Sequence, residues 1–129
     1  MSTAVLDASA LLALLKDEPG AAKVADAIAD ARMSSVNYAE VVSHFVHAGM
    51  PLDQVGAMLK PLPMTIVAAD QALATIAGGL RAATAGAGLS LGDRFCLALA
   101  HRDSLPALTA DRNWHSVAGA AGVTVSVIR

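Results

Sequence analysis

The stretch TAVLDASALLALL, residues 3–15, joins a short aliphatic run to a longer run of Ala and Leu through a single acid. Thr3–Leu6 has the length and composition of a buried β-strand. Asp7 follows it directly, and Ser9–Leu15 is rich in residues that favour a helix. The stretch therefore predicts a strand that leads at once into a helix, with an acid at the junction.

The same alternation continues along the chain. Further strands are predicted at Met33–Val36, Met64–Ala68, Leu105–Thr109 and Val123–Ile128. Helices are predicted from Pro19 to Ala31 and over Asn37–Ala48, Pro51–Lys60, Gln71–Ala85 and Leu91–Arg102, with a loop at 85–88 and a short helix near Trp114–Ala120. Because strands separated by helices pair in parallel through right-handed crossovers, we expect an α/β three-layer sandwich with helices on both faces.

Length and composition favour one domain over residues 1–129. Hydrophobic residues make up 55% of the chain and aromatic residues only 3%, so the core must be mainly aliphatic. No apolar run reaches the roughly 18 residues of a membrane span, and the start of the chain lacks the basic region of a signal peptide. The single cysteine, Cys96, is predicted to be a small core residue. These features predict a cytoplasmic protein that does not bind membranes.

Four acids stand where a parallel sheet binds ligands. Ligands of such sheets lie beyond the carboxyl ends of the strands. Asp7 directly follows the first strand, Asp111 follows Leu105–Thr109 after one residue, and Asp93 begins a helix. Glu40 lies near the start of the helix that follows Met33–Val36. We therefore expect these four acids to face the same edge of the sheet.

Helical periodicity gives Glu40 a direction. At about 100° per residue, the helix from Asn37 has one apolar face, formed by Tyr38, Val41, Val42, Phe45 and Val46. The opposite face contains Asn37, Glu40, Ser43, His44 and His47. Glu40 is therefore predicted to point out of the core, beside Asn37.

Each acid also has a purely structural interpretation. Asp7 and Asp111 have the positions of helix N-caps, and Ser90 and Asp93 have the spacing of a capping box. Glu40 has the placement of a solvated surface charge. The two interpretations are compatible, because a helix N-terminus keeps a carboxylate ionised and so suits it as a ligand for a hard cation.

A cluster of four carboxylates requires a counter-charge. Mg²⁺ or Mn²⁺ would supply it, since both ions prefer oxygen ligands. Such an ion can bind a phosphodiester oxygen and lower the pKa of an attacking water. The formal net charge of −2 argues against a large basic surface that binds nucleic acid non-specifically, but not against a nuclease.

Four segments of the chain resemble the PIN-domain family in order and spacing. They are VLDASAL at Asp7, SSVNYAEV at Glu40, LSLGDRFCLALA at Asp93 and LTADRNW at Asp111. The resemblance implies a mostly parallel five-stranded sheet between helices and an Mg²⁺- or Mn²⁺-dependent ribonuclease. It also implies that Asp7, Glu40, Asp93 and Asp111 form the catalytic metal-binding quartet, and that Ser9, Asn37 and Thr109 support them.

A lone domain of this size resembles the VapC toxins of toxin–antitoxin pairs. That resemblance implies a homodimer that cleaves RNA and is neutralised by a cognate VapB-type antitoxin. Arg94 and Arg112 each follow a proposed ligand and are candidates either for RNA contact or for neutralising the acids. A different class of function, a non-catalytic PIN-like interaction module, is the alternative.

Other interpretations are weaker. Glu40, His44 and His47 share a helix face with a spacing that would suit a zinc or di-metal site, but no further Cys or His pair supports it. His44 and His47 are otherwise polar-face residues or contacts to a partner, and His101 and His115 are expected at the surface. Trp114 is predicted to be a packing anchor, with base stacking as the alternative. The phosphate-binding loop GxxxxGK[ST] is absent from the sequence.

Overall fold

Five short strands form one entirely parallel sheet in the computed structural model, which describes residues 1–129. The strands are β1 (Ala4–Leu6), β2 (Ala31–Ser34), β3 (Thr65–Val67), β4 (Ala107–Thr109) and β5 (Val125–Val127). Their order across the sheet is β3-β2-β1-β4-β5, and every neighbouring pair is parallel. The predicted α/β architecture is therefore confirmed.

Eight α-helices flank the sheet. They are α1 (Ala8–Leu15), α2 (Ala21–Ala27), α3 (Ser35–His47), α4 (Leu52–Leu59), α5 (Gln71–Gly79), α6 (Arg81–Thr84), α7 (Leu91–Asp103) and α8 (Ala118–Ala121). Three 3₁₀ turns lie at Ile28–Asp30, Ala85–Ala87 and Arg112–Ser116. None of the helices is both long and apolar enough to cross a membrane.

The sheet separates two hydrophobic cores of similar size, which makes the predicted three layers. Side chains of β1 alternate between them: Ala4 and Leu6 join the core beneath α1 to α4, whereas Val5 joins the core beneath α5 and α7. The alternation follows from the period of two in a strand. Helix α7 is deeply embedded, with Phe95 through Ala100 all buried, and Cys96 is buried among them as predicted.

The second strand begins and ends two residues earlier than predicted. Met33–Val36 was expected, but β2 covers Ala31–Ser34 and Val36 lies in α3. Ser34 ends the strand because its hydroxyl accepts a hydrogen bond from the backbone N–H of Val36, 3.2 Å away, and so caps α3. The helix predicted to run to Ala31 ends at Ala27 and is followed by a 3₁₀ turn.

The long helix over Gln71–Ala85, for which a weak interruption at Gly78-Gly79 is predicted, is fully broken there. Helix α5 ends at the pair Gly78-Gly79, and a separate short helix, α6, follows it. Glycine is a poor helix former, and two in succession weaken the helix enough for the chain to turn. The segment predicted as a loop at 85–88 contains a 3₁₀ turn that ends at Gly88, whose φ is 67°.

Candidate functional site

The strand order creates a crevice at the carboxyl end of the sheet between β1 and β4. From β1 the chain proceeds through β2 to β3 on one side, whereas β4 and β5 lie on the other. In parallel sheets, the point where the order reverses is where ligands bind. Asp7 follows β1 and Thr109 ends β4, so both residues lie at this crevice.

Asp7 is almost fully buried, with 4% of its surface exposed. It caps α1, and its Oδ1 accepts a hydrogen bond of 2.8 Å from the N–H of Ala10. The hydroxyls of Ser9 and Thr109 also donate to its carboxylate. Burial nevertheless raises the pKa of Asp7 to about 6; this net value includes a small increase from the charge of Asp93 and the opposing effect of the three hydrogen bonds.

Thr109 and Ser9 connect Asp7 to Asp111. Thr109 Oγ1 donates to Asp7 Oδ2 at 2.8 Å and accepts from the N–H of Asp111 at 3.1 Å. Ser9 Oγ accepts from the N–H of Ala110 at 2.9 Å, which fixes the same turn. The carboxylate of Asp111 caps the 3₁₀ turn through the N–H of Asn113. Asp111 is thus joined to the buried acid through Thr109 rather than through direct contact of the carboxylates.

Glu40 is held against the start of α7. The amide Nδ2 of Asn37 donates to Glu40 Oε1 at 2.8 Å and to the carbonyl of Gly92 at 2.9 Å. Burial raises the pKa of Glu40, with a smaller contribution from the charge of Asp93 and an opposing one from Asn37. Asn37 therefore bridges α3 and α7 and sets the position of the acid.

The prediction that Asn37 lies on the outer face of α3 was wrong. Asn37 is completely buried, because α7 covers the first turns of that face. Ser43 and His47 on the same face are exposed, as predicted, while Glu40 is half-buried. At the far end of the apolar face, Val46 is 46% exposed, so the helix extends beyond the core that its sequence pattern suggested.

Gly92 is a site residue that sequence reasoning missed. A Cβ built on Gly92 would overlap the carboxylate of Glu40, with the carboxyl carbon only 2.5 Å away. Only glycine lets the two helices approach this closely. The available signal was a glycine in the first turn of α7, directly before Asp93, where it weakens the helix without serving a turn.

Asp93 forms the capping box that its spacing from Ser90 predicts. Its Oδ2 accepts from the N–H of Ser90 at 2.9 Å, and its own N–H donates to Ser90 Oγ, which completes a capping box. Its charge also raises the pKa of Asp7 and Glu40. The pKa of the buried Cys96 thiol is raised first by burial and then by the charges of Asp7, Asp93 and Glu40. Asp93 is thus within electrostatic range of both Asp7 and Glu40.

No protein cation neutralises these acids. The four ion pairs of the structure involve Glu18 and Asp103 as the acidic partners and none of the four candidate acids. Neutralisation of the acids, one of the two roles considered for Arg112, is not observed, and its Nε donates to the carbonyl of Arg129. Arg94 donates to the carbonyl of Leu89 at 3.5 Å, and its Nε is buried without a partner.

The donor set suits a hard divalent cation. No three His, Cys, Asp or Glu side chains lie close enough together to bind one metal ion directly. Mg²⁺ does not need three, because it keeps several waters and binds through one or two carboxylates. The buried Oδ1 of Asn37 has no hydrogen-bond partner and lies on the amide that holds Glu40, so it offers an acceptor for such a water.

The remaining candidates lie outside this cluster. Trp114 is fully buried, which confirms the packing prediction. His101 and His115 are exposed, as expected. Glu40, His44 and His47 line one face of α3 but do not converge into a zinc site.

Comparisons with known proteins agree with this architecture. The model of the PIN domain family matches residues 4–120. A chain of the DNA-bound VapBC complex from Salmonella typhimurium superposes with a TM-score of 0.77 at 15% identity, covering 100% of both chains. A chain of FitAcB from Neisseria gonorrhoeae gives 0.73 at 21% identity, covering 98% of each.

A chain of a toxin–antitoxin complex from Klebsiella pneumoniae gives a TM-score of 0.73 at 19% identity, again covering 98% of each chain. No curated protein sequence matches this chain. At these identities the structural matches establish only the fold. The family model covers most of the chain and therefore establishes the family. The chain therefore belongs to the PIN-domain family.

Proposed function

We propose that the chain is an Mg²⁺- or Mn²⁺-dependent endoribonuclease. The observation that carries this proposal is the group of Asp7, Glu40 and Asp93, which interact electrostatically at the switch point of the sheet with no protein cation beside them. Like charges within electrostatic range disfavour each other's ionisation, and a bound cation would relieve this repulsion. Membership of a nuclease-type family supports phosphodiester hydrolysis as the use of that cation.

In this proposal Asp7, Glu40, Asp93 and Asp111 hold the ion, directly or through water. A bound Mg²⁺ would polarise the phosphodiester and lower the pKa of an attacking water. Ser9 and Thr109 fix the orientation of Asp7, and Asn37 fixes that of Glu40, through the hydrogen bonds that each makes. Since the positions are set before substrate binds, little reorganisation is needed during reaction.

The experiment compares two aspartates of the same helix. The purified chain should cleave RNA with Mg²⁺ or Mn²⁺ and stop when EDTA is added. Asp93→Asn should lower the rate by at least ~100-fold, the scale of other electrostatic catalytic groups. Asp103→Asn, at the other end of α7, is the matched control and should keep the wild-type rate.

Two outcomes would contradict the proposal. Cleavage that persists in EDTA at an undiminished rate in Asp93→Asn would show that the acids are not needed. A wild-type protein that binds Mg²⁺ in a titration but cleaves no RNA would instead favour the non-catalytic interaction module.

We further propose that the protein is a VapC-like toxin that dimerises and is neutralised by a VapB-type antitoxin. The similar folds come from toxin–antitoxin complexes, which supports this assignment. Several large apolar side chains are also solvent-exposed and available to protein partners; they are Val46, Leu52, Ile66 and Leu91.

Light scattering and co-purification test these partners. A dimer is expected at high micromolar concentration, and the product of the adjacent gene should co-purify and suppress RNA cleavage. A protein that remains monomeric contradicts the dimer. Failure of the adjacent gene product to bind contradicts the antitoxin, and neither result affects the ribonuclease proposal.

A further inference from the structure

A shallow trough of about 600 Å³ runs along the outer face of α3. Its lining comes from successive turns of that helix and consists of Val36, Ala39, Glu40, Ser43, His44 and His47. Its N-terminal part is lined by Val36, Ala39 and Glu40, an acid of the candidate site. The other end, at His47, is about 10 Å from Glu40 at a rise of ~1.5 Å per residue. A polymer held at the acids has a direct path along this helix.

The two ends of the trough differ in charge. Glu40 is its only carboxylate, whereas the far end carries two imidazoles. Lys16, the C-cap of α1, lies beside that end with its Nζ 3.4 Å from His44 Nε2. Glu18 Oε2 is 3.9 Å from the same ammonium. It neutralises this charge only in part, because the side chains of Lys16 and Glu18 are both more than a third exposed. The far end thus offers a cation and hydrogen-bonding groups.

The arrangement at the far end is restrained before any ligand binds. The ring of His44 packs edge-to-face against Phe45, with centroids 5.3 Å apart, and Lys16 contacts its Nε2. The arginines that follow the candidate acids each donate to a backbone carbonyl. The Nε of Arg112 donates a hydrogen bond to the carbonyl of Arg129, and Nη1 of Arg94 donates one to the carbonyl of Leu89.

We propose that this trough binds the RNA strand immediately beside the cleaved phosphodiester. The inference rests on the proposed ribonuclease function and assigns Lys16, His44 and His47 as substrate contacts. About three stacked nucleotides, at ~3.4 Å each, span the 10 Å from Glu40 to His47. Lysine and imidazole N–H groups bind phosphate, and imidazole rings stack on unpaired bases. A protein segment suits the trough less well, because its only aliphatic side chains are Val36 and the small Ala39.

Binding is measured in EDTA, so that metal-dependent cleavage does not interfere. Fluorescence anisotropy with a labelled ten-nucleotide single-stranded RNA should show at least about tenfold weaker binding for the double variant His44→Ala/His47→Ala. Lys16→Gln should reduce the slope of log K against log salt by about 0.7, the value for one phosphate contact with a single strand. His101→Ala and His115→Ala, which remove exposed imidazoles elsewhere, should bind within twofold of wild type.

A second measurement does not depend on variants. RNA that contains 4-thiouridine should cross-link to the peptide of α3 on the wild-type protein. Wild-type protein that binds no RNA in EDTA, a double variant that binds as well as wild type, or cross-links that avoid α3 would overturn the proposal. A double variant that no longer captures the antitoxin but binds RNA as tightly as wild type would also overturn the proposal. That result would make the trough a protein-binding surface.

The ribonuclease proposal is tested separately from the trough. Wild-type protein that binds RNA through α3 but cleaves nothing with Mg²⁺ refutes the ribonuclease and retains the trough. Wild-type protein that cleaves with Mg²⁺ while the double variant binds normally retains the ribonuclease and refutes the trough.

Discussion

Helix α7 carries an aspartate at each end, and the two have opposite surroundings. At its C-terminal end, Asp103 contacts the guanidinium of Arg32 at 3.3 Å and that of Arg102 at 2.9 Å. At its N-terminal end, Asp93 makes no ion pair, and its charge acts on Asp7 and Glu40. The protein supplies its own counter-charge at one edge of the sheet and omits it at the other, which is the edge where parallel sheets bind ligands.

The pKa values record this difference. The hydrogen bond from Arg102 to Asp103, together with the charge of Asp103, raises the pKa of Arg102, so Asp103 stabilises the charged guanidinium. Burial instead raises the pKa of Asp7 to about 6, and Asp93 adds to the effect. At the C-terminal end of α7 the charges are paired with opposite charges, whereas at the N-terminal end the charge of Asp93 disfavours ionisation of Asp7.

The largest expected effect is on the pH dependence of stability in EDTA. Because the folded-state pKa of Asp7 is about 6 and the reference value is 3.8, folding favours the protonated acid. Its contribution to stability is complete below about pH 4 and is lost as the pH rises through 6, a change of about 3 kcal/mol. Asp7→Asn should remove this loss, so the variant gains stability relative to wild type between pH 4 and 7.

Urea unfolding at a series of pH values measures the difference. Asp103→Asn should keep the wild-type decline between pH 4 and 7, because it does not touch Asp7. Parallel curves for wild type and Asp7→Asn would contradict the raised pKa.

The second effect is the response of stability to Mg²⁺. An ion at 100 times its Kd stabilises a protein that binds it only when folded by about 2.7 kcal/mol. Glu40→Gln keeps an oxygen that can accept from Asn37 but removes the charge, so we expect less than half of the wild-type response. Thermal melts with EDTA and with Mg²⁺ measure it, and Asp103→Asn should respond as fully as wild type. An equal response in Glu40→Gln would exclude this acid from the metal site.

The third effect concerns the close approach of α3 to α7. Gly92→Ala would force the carboxylate of Glu40 away, and overpacking of this kind costs about 1–3 kcal/mol. Gly78→Ala is the matched control, since a Cβ there has nothing within 4 Å. It should be neutral or stabilise α5 by up to about 1 kcal/mol. If urea unfolding gives the two variants equal stability, the packing argument for Gly92 fails.

The sequence predicts element types well because its patterns are local. The aliphatic run before Asp7 and the Ala- and Leu-rich run after it contain enough information for a strand and a helix. The boundary at Ser34 was not predictable from hydrophobicity, since a hydroxyl decides it by capping α3. The break in the long helix after Gly79 depends likewise on the sum of two weak glycine effects.

The candidate site was predicted less completely because it depends on which helices meet. Periodicity identified the polar face of α3 but not that α7 covers part of it, so Asn37 was expected in solvent and is buried. At Gly92, the close approach brings together α3 and α7, whose contacting residues are more than 50 positions apart in the sequence. The hydrogen bond from Thr109 to Asp7, which links Asp7 to Asp111, also joins distant parts of the chain. No local pattern reveals such contacts, whereas Asp7 and Asp111 could be identified because each closely follows a strand.

The smallest expected effect compares the two ends of α7 directly, in EDTA at pH 7.5. Asp103→Asn leaves Arg32 and Arg102 without their acidic partner. It should lower the free energy of unfolding by about 1 kcal/mol, because these side chains are only partly exposed. Asp93→Asn also loses a charge at a helix N-terminus, which is worth about 0.3–1 kcal/mol. It keeps an oxygen that can accept from Ser90, however, and it relieves the repulsion with Asp7 and Glu40. We therefore expect Asp93→Asn to be as stable as wild type or more stable, while Asp103→Asn is less stable. Two results together would contradict this expectation: urea unfolding that shows Asp93→Asn destabilised as much as Asp103→Asn, and Mg²⁺ that stabilises Asp93→Asn as much as wild type. Asp93 would then serve only its capping box. The contrast between the two ends of α7 would have no functional meaning.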